Sequence, residues 1–438
     1  MNDSNIVASM EPGEPIPENG GAAVKHRSLW LASAWLMGGS LFAQILTVAT
    51  MPLVTRLFTP EDIGSLSVFV TFYTMASACA CMRFDGALMV PEDLGEVDRL
   101  VALSIWSTIT VSFLSGLLLA LLSYKKLFGL GVLSPWAGCF AVAVVCGLGL
   151  TAVFRALRLR GGEFSVLATI GAMRNSANIV VRLAGGSFGW GIPALLAAEL
   201  VAAWAAIRRL GGRQLRSSLQ LACTSSMADL IKTARRWRRF PLYEIPSQVL
   251  DQIAAAIPLL IVADRLGSGA AGLYAVATRF STLPNTHIGA AVGDVFRSRF
   301  AEYVRAGERR AAKRLYQRLM ARTAGLALVV LVPMLWLVPQ LFGFVFGQAW
   351  LRAGMLVPWI AAWGASCLVV SPLSPLLQIL QRQNLKWIYD GSVILATAIA
   401  VIAASGTDLE THVRLLSVAG IAGNVVYFIV LDTAVRRI

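Results

Sequence analysis

Residues 164–187, FSVLATIGAMRNSANIVVRLAGGS, decide the fold class of this chain. A helix needs roughly 20 apolar residues to cross a bilayer, and this stretch has that length although Arg174 and Arg182 stand inside it. Long apolar runs recur from Leu29 to the C-terminus, and four arginines lie inside them. A charge at the centre of a span costs roughly 2.5–3.5 kcal/mol on insertion scales. A chain that keeps four such charges must give them partners or a use.

The overall composition indicates the same class. Of the 438 residues, 57% are hydrophobic and 14% are charged, which leaves too little polar surface for a water-soluble domain of this length. The net charge of +14 is also common in nucleic-acid-binding proteins. Here the basic residues lie in short segments beside apolar runs, where membrane insertion and anionic lipids account for them. We therefore expect membrane lipids as partners, and no nucleic acid.

Twelve candidate spans can be counted, six before a polar stretch and six after it. They lie near 29–54, 65–90, 100–122, 135–157, 164–187, 189–207, 243–263, 271–296, 323–347, 355–380, 387–404 and 413–434. The pattern predicts an all-α integral membrane protein with about twelve transmembrane helices.

The distribution of Lys and Arg predicts the topology, because cytoplasmic loops hold the excess of these residues. With the N-terminus inside, 28 of the 38 basic residues fall in cytoplasmic segments, six in outside loops and four within spans. Both termini are therefore predicted to face the cytoplasm. Residues 1–28 are polar and rich in Pro and Gly, with no basic region before a short apolar core. We interpret them as a disordered cytoplasmic tail and not as a cleaved signal peptide.

A weak internal repeat suggests two halves. Pro52-Leu53 precedes residues 59–64 at the start of span two, and Pro258-Leu259 precedes residues 267–274 at the start of span eight. The predicted segments are an N-terminal six-helix bundle at 29–207, a basic cytoplasmic linker at 208–242 and a pseudo-symmetric C-terminal bundle at 243–438. Such repeats are typical of transporters that bind substrate near the membrane midplane.

Several segments together carry a resemblance that runs over nearly the whole chain. They are PLVTRLFTPEDIG at 52–64, RFDGALMVP at 83–91, RFPLY at 239–243, Gly272-Leu-Tyr274 with Arg279, and 342–350 with SPLSP at 371–375. With them the chain resembles the polysaccharide-transporter branch of the multidrug/oligosaccharidyl-lipid/polysaccharide (MOP) flippase superfamily.

The resemblance implies a MATE-like fold of two six-helix bundles in the bacterial cytoplasmic (inner) membrane. It implies a flippase that carries an undecaprenyl-pyrophosphate-linked oligosaccharide to the periplasmic leaflet by alternating access. The product would feed O-antigen and lipopolysaccharide, capsule or exopolysaccharide assembly. A polysaccharide polymerase and chain-length machinery are the protein partners that this implies.

Polar residues on one face of a span predict a wet cavity. Span five places Arg174, Asn178 and Arg182 at successive offsets of four, and span one places Gln44 on a polar face. Our hypothesis is that Arg174, Arg182 and Arg279 line a cationic cavity that holds the lipid pyrophosphate, since guanidinium groups fit phosphate oxygens. The other interpretation is that these arginines reach toward lipid headgroups or pair with carboxylates on neighbouring helices.

The carboxylates within spans are the second group of candidates. Span seven carries Glu244 and Asp251 on one face, and Asp251 lies near mid-span. Asp251 is a candidate for coupling transport to an ion gradient, because the protonation of a buried carboxylate depends strongly on its surroundings; a plain salt bridge is the alternative. On span two Asp85 joins a polar face, and Arg83 is predicted to lie roughly opposite. For Arg83, substrate binding, snorkelling and inter-helix pairing all stay open.

The chain shows no set of residues for catalysis, metal binding or a cofactor. Its six cysteines and three histidines form no metal-ligand pattern, and its paired glycines lack the Lys-Ser/Thr of a nucleotide loop. We therefore expect a transporter and not an enzyme. A cation-coupled multidrug exporter of the same superfamily is the first alternative, which the Glu244 and Asp251 stripe favours. A membrane glycosyltransferase would need a catalytic loop outside, whereas the largest loops here are inside.

Overall fold

The computed structural model describes residues 46–212, 214–284, 289–382 and 385–436, and these residues form helices and connecting turns without a β-strand. The helices are α1 (Leu46–Leu57), α2 (Pro60–Cys79), α3 (Phe84–Ala87), α4 (Leu94–Tyr124), α5 (Ala137–Arg160), α6 (Phe164–Ser187), α7 (Ile192–Ala205), α8 (Ile207–Gly211), α9 (Gln214–Thr224), α10 (Met227–Arg236), α11 (Arg239–Pro284), α12 (Ala290–Arg305), α13 (Arg309–Phe346), α14 (Leu351–Val370), α15 (Pro375–Ile379), α16 (Lys386–Ala403) and α17 (Leu409–Arg436).

The helices confirm the predicted class. Within the described ranges, seven helical segments are long and apolar enough to cross a membrane. Every predicted span after the first overlaps a described helix. Most of the first span, 29–54, lies outside the described residues, and α1 covers its end. The chain is an all-α membrane protein, and its helices agree with a count of about twelve spans.

Span two differs from its prediction. A single helix was expected over 65–90, but α2 ends at Cys79 and the short helix α3 follows after a break. Met82 and Arg83 adopt positive φ values of 49° and 59°. A left-handed backbone cannot continue a right-handed helix. The prediction that Arg83 and Asp85 lie on opposite sides of one continuous helix was therefore wrong.

Proline interrupts one further span, and a glycine lies between spans seven and eight. After α14 the chain passes through a 3₁₀ turn at Ser371–Leu373 before α15, because the prolines of the SPLSP segment lack the N–H that an α-helix needs. Within α11, Gly267 has φ 83° and ψ −179° and separates two helical stretches. A side chain is strained at this φ, which explains the glycine.

The chain divides into two compact units. The first contains the described residues up to Phe58 together with Ser65–Leu260. Its core includes the buried side chains of Leu100, Phe154 and Leu230. The predicted linker, 208–242, contributes α9 and α10, which pack against α4: the Trp106 indole donates to the Ala222 carbonyl at 2.9 Å and the Trp237 indole donates to Glu96 Oε1 at 3.0 Å. The division of the chain into halves at this segment stays a prediction.

The second unit contains Thr59–Gly64 and the chain from Ile261 onward. Its main cluster includes the buried side chains of Phe300, Tyr316 and Leu373. Gly64 and Gly272 lie where two helices meet almost backbone to backbone, since a Cβ on Gly64 would overlap the Ser268 carbonyl oxygen. Small residues allow such close approaches between membrane helices.

Candidate functional site

A polar network in the first unit joins three helices through one carboxylate. Glu199 on α7 accepts three hydrogen bonds. The Tyr73 hydroxyl of α2 donates to its Oε2 at 2.6 Å. From α6, Asn178 Nδ2 donates to Oε1 at 3.0 Å and Arg182 Nη2 donates to Oε1 at 2.6 Å. Two of the three residues predicted to share one face of span five, Asn178 and Arg182, therefore donate hydrogen bonds to a carboxylate.

The Arg182–Glu199 pair is well shielded. The two side chains are 14% and 11% exposed, and Arg182 Nε has no hydrogen-bond partner within the described part of the chain. Taking charges out of water is costly, and only a close, well-bonded partner offsets that cost. The bonds from Tyr73 and Asn178 complete the coordination of the carboxylate, so the network locks α2, α6 and α7 together. Pairing with a carboxylate was the alternative that the sequence left open for Arg182, but the partner is one that the sequence reasoning did not name.

A second contact joins α6 to α1. Asn175 Nδ2 donates to Thr47 Oγ1 of α1 at 3.0 Å. Gln44 lies three residues before Thr47 and outside the described residues, so its predicted role is not tested. The described part of span one therefore contacts α6 at Thr47.

Arg174 has a different environment from Arg182. It lines a cavity of about 440 Å³ in the first unit, together with Asp85, Arg155, Ser77 and Thr151. Among the described residues Arg174 forms no ion pair, and its Nε has no hydrogen-bond partner there. Arg174 and Arg155 supply two cations against the single carboxylate of Asp85. The cavity therefore has an excess of positive charge and donors for an anion.

Arg83 is paired within the first unit. Its Nη2 and Nε lie 2.7 Å and 2.8 Å from Glu244 Oε2. The two side chains are 28% and 39% exposed, so this pair is more open than Arg182–Glu199. Arg83 is not among the residues that line the 440 Å³ cavity. The contact ties the break after α2 to the first turns of α11.

The other predicted residues are placed as follows. Asp85 is half-buried and lines the Arg174 cavity. Asp251 has an exposed side chain on α11 in the first unit. Arg279 is exposed on α11 in the second unit and makes contacts of its own. The joint role of Arg279 and Arg174 in one cavity, and the coupling role of Asp251, stay predictions.

Sequence reasoning did not single out Glu199, Tyr73 or Arg155 as site residues. A signal for Glu199 was available, because it is the one acidic residue in the predicted span at 189–207. An acidic residue within a span is by default a functional or pairing residue. Tyr73 gave no comparable signal, since tyrosines are common in membrane helices near the interface. Within the described residues, no group of three or more His, Cys, Asp or Glu side chains is arranged to hold a metal ion.

Solved structures of known proteins share this fold. An inward-facing multidrug resistance MATE family transporter of the MOP superfamily superposes with a TM-score of 0.65 at 14% identity, covering 90% of this chain and 95% of the other. The lipid II flippase MurJ in an inward closed conformation superposes with the same TM-score at 13% identity, covering 91% of this chain and 87% of MurJ. The fold defines the class: a multi-pass membrane protein with the architecture of MOP-superfamily transporters.

The sequence defines the family. Residues 53–354 match the family described as polysaccharide biosynthesis protein, and the chain belongs to that family. The succinoglycan biosynthesis transport protein ExoT of Rhizobium meliloti (strain 1021) is 24% identical over 321 residues. That alignment covers 71% of this chain and 62% of ExoT, so the chain spans less than two thirds of this relative. The predicted resemblance is confirmed at the level of the polysaccharide biosynthesis family, and a MOP-superfamily transporter shares the fold of this chain.

Proposed function

We propose that this protein is a flippase that moves a lipid-linked oligosaccharide, carried on undecaprenyl pyrophosphate, across the bacterial cytoplasmic membrane. Membership of a polysaccharide biosynthesis family supports the glycan part of the substrate. The fold supports transport and not catalysis, because it is the fold of MOP-superfamily transporters. The similarity to a succinoglycan transport protein agrees with an exopolysaccharide, O-antigen or capsule precursor as the cargo.

The observation that carries this proposal is the position of Arg174 in the 440 Å³ cavity, where it forms no ion pair with any described residue. A guanidinium group offers five N–H donors in a planar fork that matches phosphate oxygens. Arg174 and Arg155 line the same cavity and would share the negative charge of a pyrophosphate. Arg182 is held by Glu199 and has a positioning role, because the network fixes α6, the helix that carries Arg174.

The mechanism follows from these parts. The cationic cavity would bind the pyrophosphate from the cytoplasmic side, and alternating access would then expose it to the other leaflet. The excess of basic residues in the predicted inner segments supports a topology with both termini in the cytoplasm. Polymerase and chain-length proteins on the periplasmic side would consume the product.

The test is complementation of a deletion strain, with lipid-linked oligosaccharide on the cytoplasmic leaflet as the measurement. We expect wild type to relieve the accumulation and Arg174→Ala to fail, since loss of a charge-assisted hydrogen bond of about 1.5–3 kcal/mol weakens binding about 10- to 100-fold. Arg174→Lys should be intermediate, because it keeps the charge and loses the fork. Arg352→Ala removes an exposed arginine that is not among the cavity-lining residues and is the matched control.

Two results would change the assignment. If Arg174→Ala reaches the membrane in normal amounts and relieves accumulation as well as wild type, the cavity does not bind the pyrophosphate. If deletion causes no accumulation but raises drug sensitivity, multidrug export replaces the flippase assignment.

A further inference from the structure

A second basic cavity lies in the other unit and is not used by the proposed transport site. It has a volume of about 320 Å³ and is lined by Arg309, Arg382 and Tyr303, together with the apolar side chains of Val304, Ala312 and Leu380 and with Gly307. This volume lies within the range of small-molecule sites. Among the residues that the structure describes, no carboxylate lines this cavity.

The turn between α12 and α13 builds one wall of this cavity. Gly307 has φ 72°, and its N–H and that of Glu308 bond to the Val304 and Tyr303 carbonyls at the end of α12. This turn places Arg309 at the first position of α13. The first amide groups of a helix lack helical acceptors, and the helix dipole favours an anion at that end.

Arg382 forms the opposite wall. Its backbone N–H bonds to the Leu377 carbonyl at 2.8 Å just beyond α15, and its Nη1 donates to the Ala434 carbonyl of α17 at 3.3 Å. One donor thus orients the guanidinium, which keeps further N–H groups for a ligand. Neither Arg309 nor Arg382 forms an ion pair with a described carboxylate.

The nearby carboxylates are engaged or outside the lining. Glu302 Oε2 lies 3.7 Å from Arg299 Nη1, and Asp432 Oδ2 lies 2.6 Å from Arg436 Nε. Glu308 precedes α13 but does not line the cavity. Residues 297–322 hold nine basic and two acidic residues, so the local potential is positive. The cavity therefore combines two cations, of which Arg382 is oriented by the Ala434 carbonyl, with a helix N-terminus and a positive field.

The geometry points to a phosphate-binding site in this cavity, in which Arg309 and Arg382 hold the phosphate group of an anionic ligand. The ligand is either the headgroup of an anionic phospholipid or free phosphate, since both present the same oxygens. Basic pockets beside membrane helices bind anionic headgroups, and the apolar side chains of Val304 and Leu380 would contact the adjoining carbons of a lipid. The site does not depend on the proposed transport function.

The experiment measures binding to the full chain in phosphatidylcholine nanodiscs. One arm titrates short-chain phosphatidylglycerol and the other titrates inorganic phosphate. Arg309→Gln with Arg382→Gln should raise the Kd for the bound species at least about tenfold, because each basic residue contributes about 1 kcal/mol to such binding. The matched control, Arg310→Gln with Arg318→Gln, removes the same charge from exposed positions of α13 and should change Kd about twofold or less.

Each outcome has a defined meaning. Binding of phosphatidylglycerol alone identifies a lipid headgroup site, and comparable binding of phosphate identifies a site for the free anion. Binding of neither species, or an equal loss in the control, overturns the proposal. Because Arg382 also holds Ala434, Arg309→Gln alone and Arg382→Lys are measured in parallel. The first should weaken binding in a folded protein, and the second should retain part of it.

Discussion

Removal of the Glu199 carboxylate should destabilise the first unit strongly. In Glu199→Ala the Arg182 guanidinium stays in a site where it is 14% exposed and loses its anion. Breaking a buried ion pair at one partner costs about 3–5 kcal/mol. The bonds from Tyr73 and Asn178 are lost too, and bonds between membrane helices average about 0.6 kcal/mol each. We therefore expect the free energy of unfolding to fall by about 4–6 kcal/mol.

The assay is a double-mutant cycle on the free energy of unfolding in mixed detergent micelles. Its variants are Glu199→Ala, Arg182→Ala and the double variant, which leaves no unpaired charge. We expect a coupling energy of at least about 2 kcal/mol, within the range for residues in one salt-bridge network. The Arg83–Glu244 pair is the matched control. Its side chains are 28% and 39% exposed, so the same cycle should give about 1 kcal/mol or less.

Two results would refute this reasoning. If the effects of Glu199→Ala and Arg182→Ala add within about 0.5 kcal/mol, the two groups are energetically independent. If the coupling energy of the Arg83–Glu244 pair is as large as that of the Arg182–Glu199 pair, burial does not explain the stabilisation by Arg182–Glu199.

Three further predictions concern packing and topology. Gly64→Ala should lower the thermal midpoint of the purified protein, since a Cβ there overlaps the Ser268 carbonyl oxygen; Gly325→Ala, with open space around it, should be neutral or stabilising, and equal shifts would contradict the close approach. Trp350 is fully buried, so Trp350→Ala should reduce the free energy of unfolding by about 3–5 kcal/mol, and a loss below about 1 kcal/mol would show that the site collapses. In a variant that keeps Cys223 alone, this exposed thiol should react with an impermeant maleimide in inverted vesicles and not in intact spheroplasts; the reverse pattern would invert the proposed topology.

The class and the positions of the spans could be predicted because each span is a local property of the chain. About 20 apolar residues in a row must be helical in a bilayer, where every backbone group needs an internal partner. The interruptions were harder to predict. The SPLSP segment at 371–375 contains the prolines that end α14, so its signal was visible. The break at Met82 and Arg83 has no proline or glycine at the turning residues, and periodicity continued through it.

The candidate site was predicted in part. The spacing of Arg174, Asn178 and Arg182 predicted one shared face of the helix, and in the structure Asn178 and Arg182 both donate to Glu199 Oε1. Periodicity within one helix cannot report which neighbouring helix supplies the partner. For that reason the sequence could not distinguish the role of Arg174 from that of Arg182. In the structure Arg174 lines a cavity, whereas Arg182 pairs with the Glu199 carboxylate.

The sequence by itself determined that this protein is a multi-pass α-helical membrane protein, that arginines lie within its spans, and which family it belongs to. Composition, hydrophobic length and short motifs are enough for these conclusions, because a bilayer admits few solutions for an apolar chain. The tertiary structure alone decided that Glu199 and Tyr73 hold Arg182 and that Arg83 pairs with Glu244. It also decided that Arg174 faces a cavity with Arg155. These pairings depend on the packing of helices that are distant in sequence, and hydrophobic periodicity contains no information on which helices become neighbours.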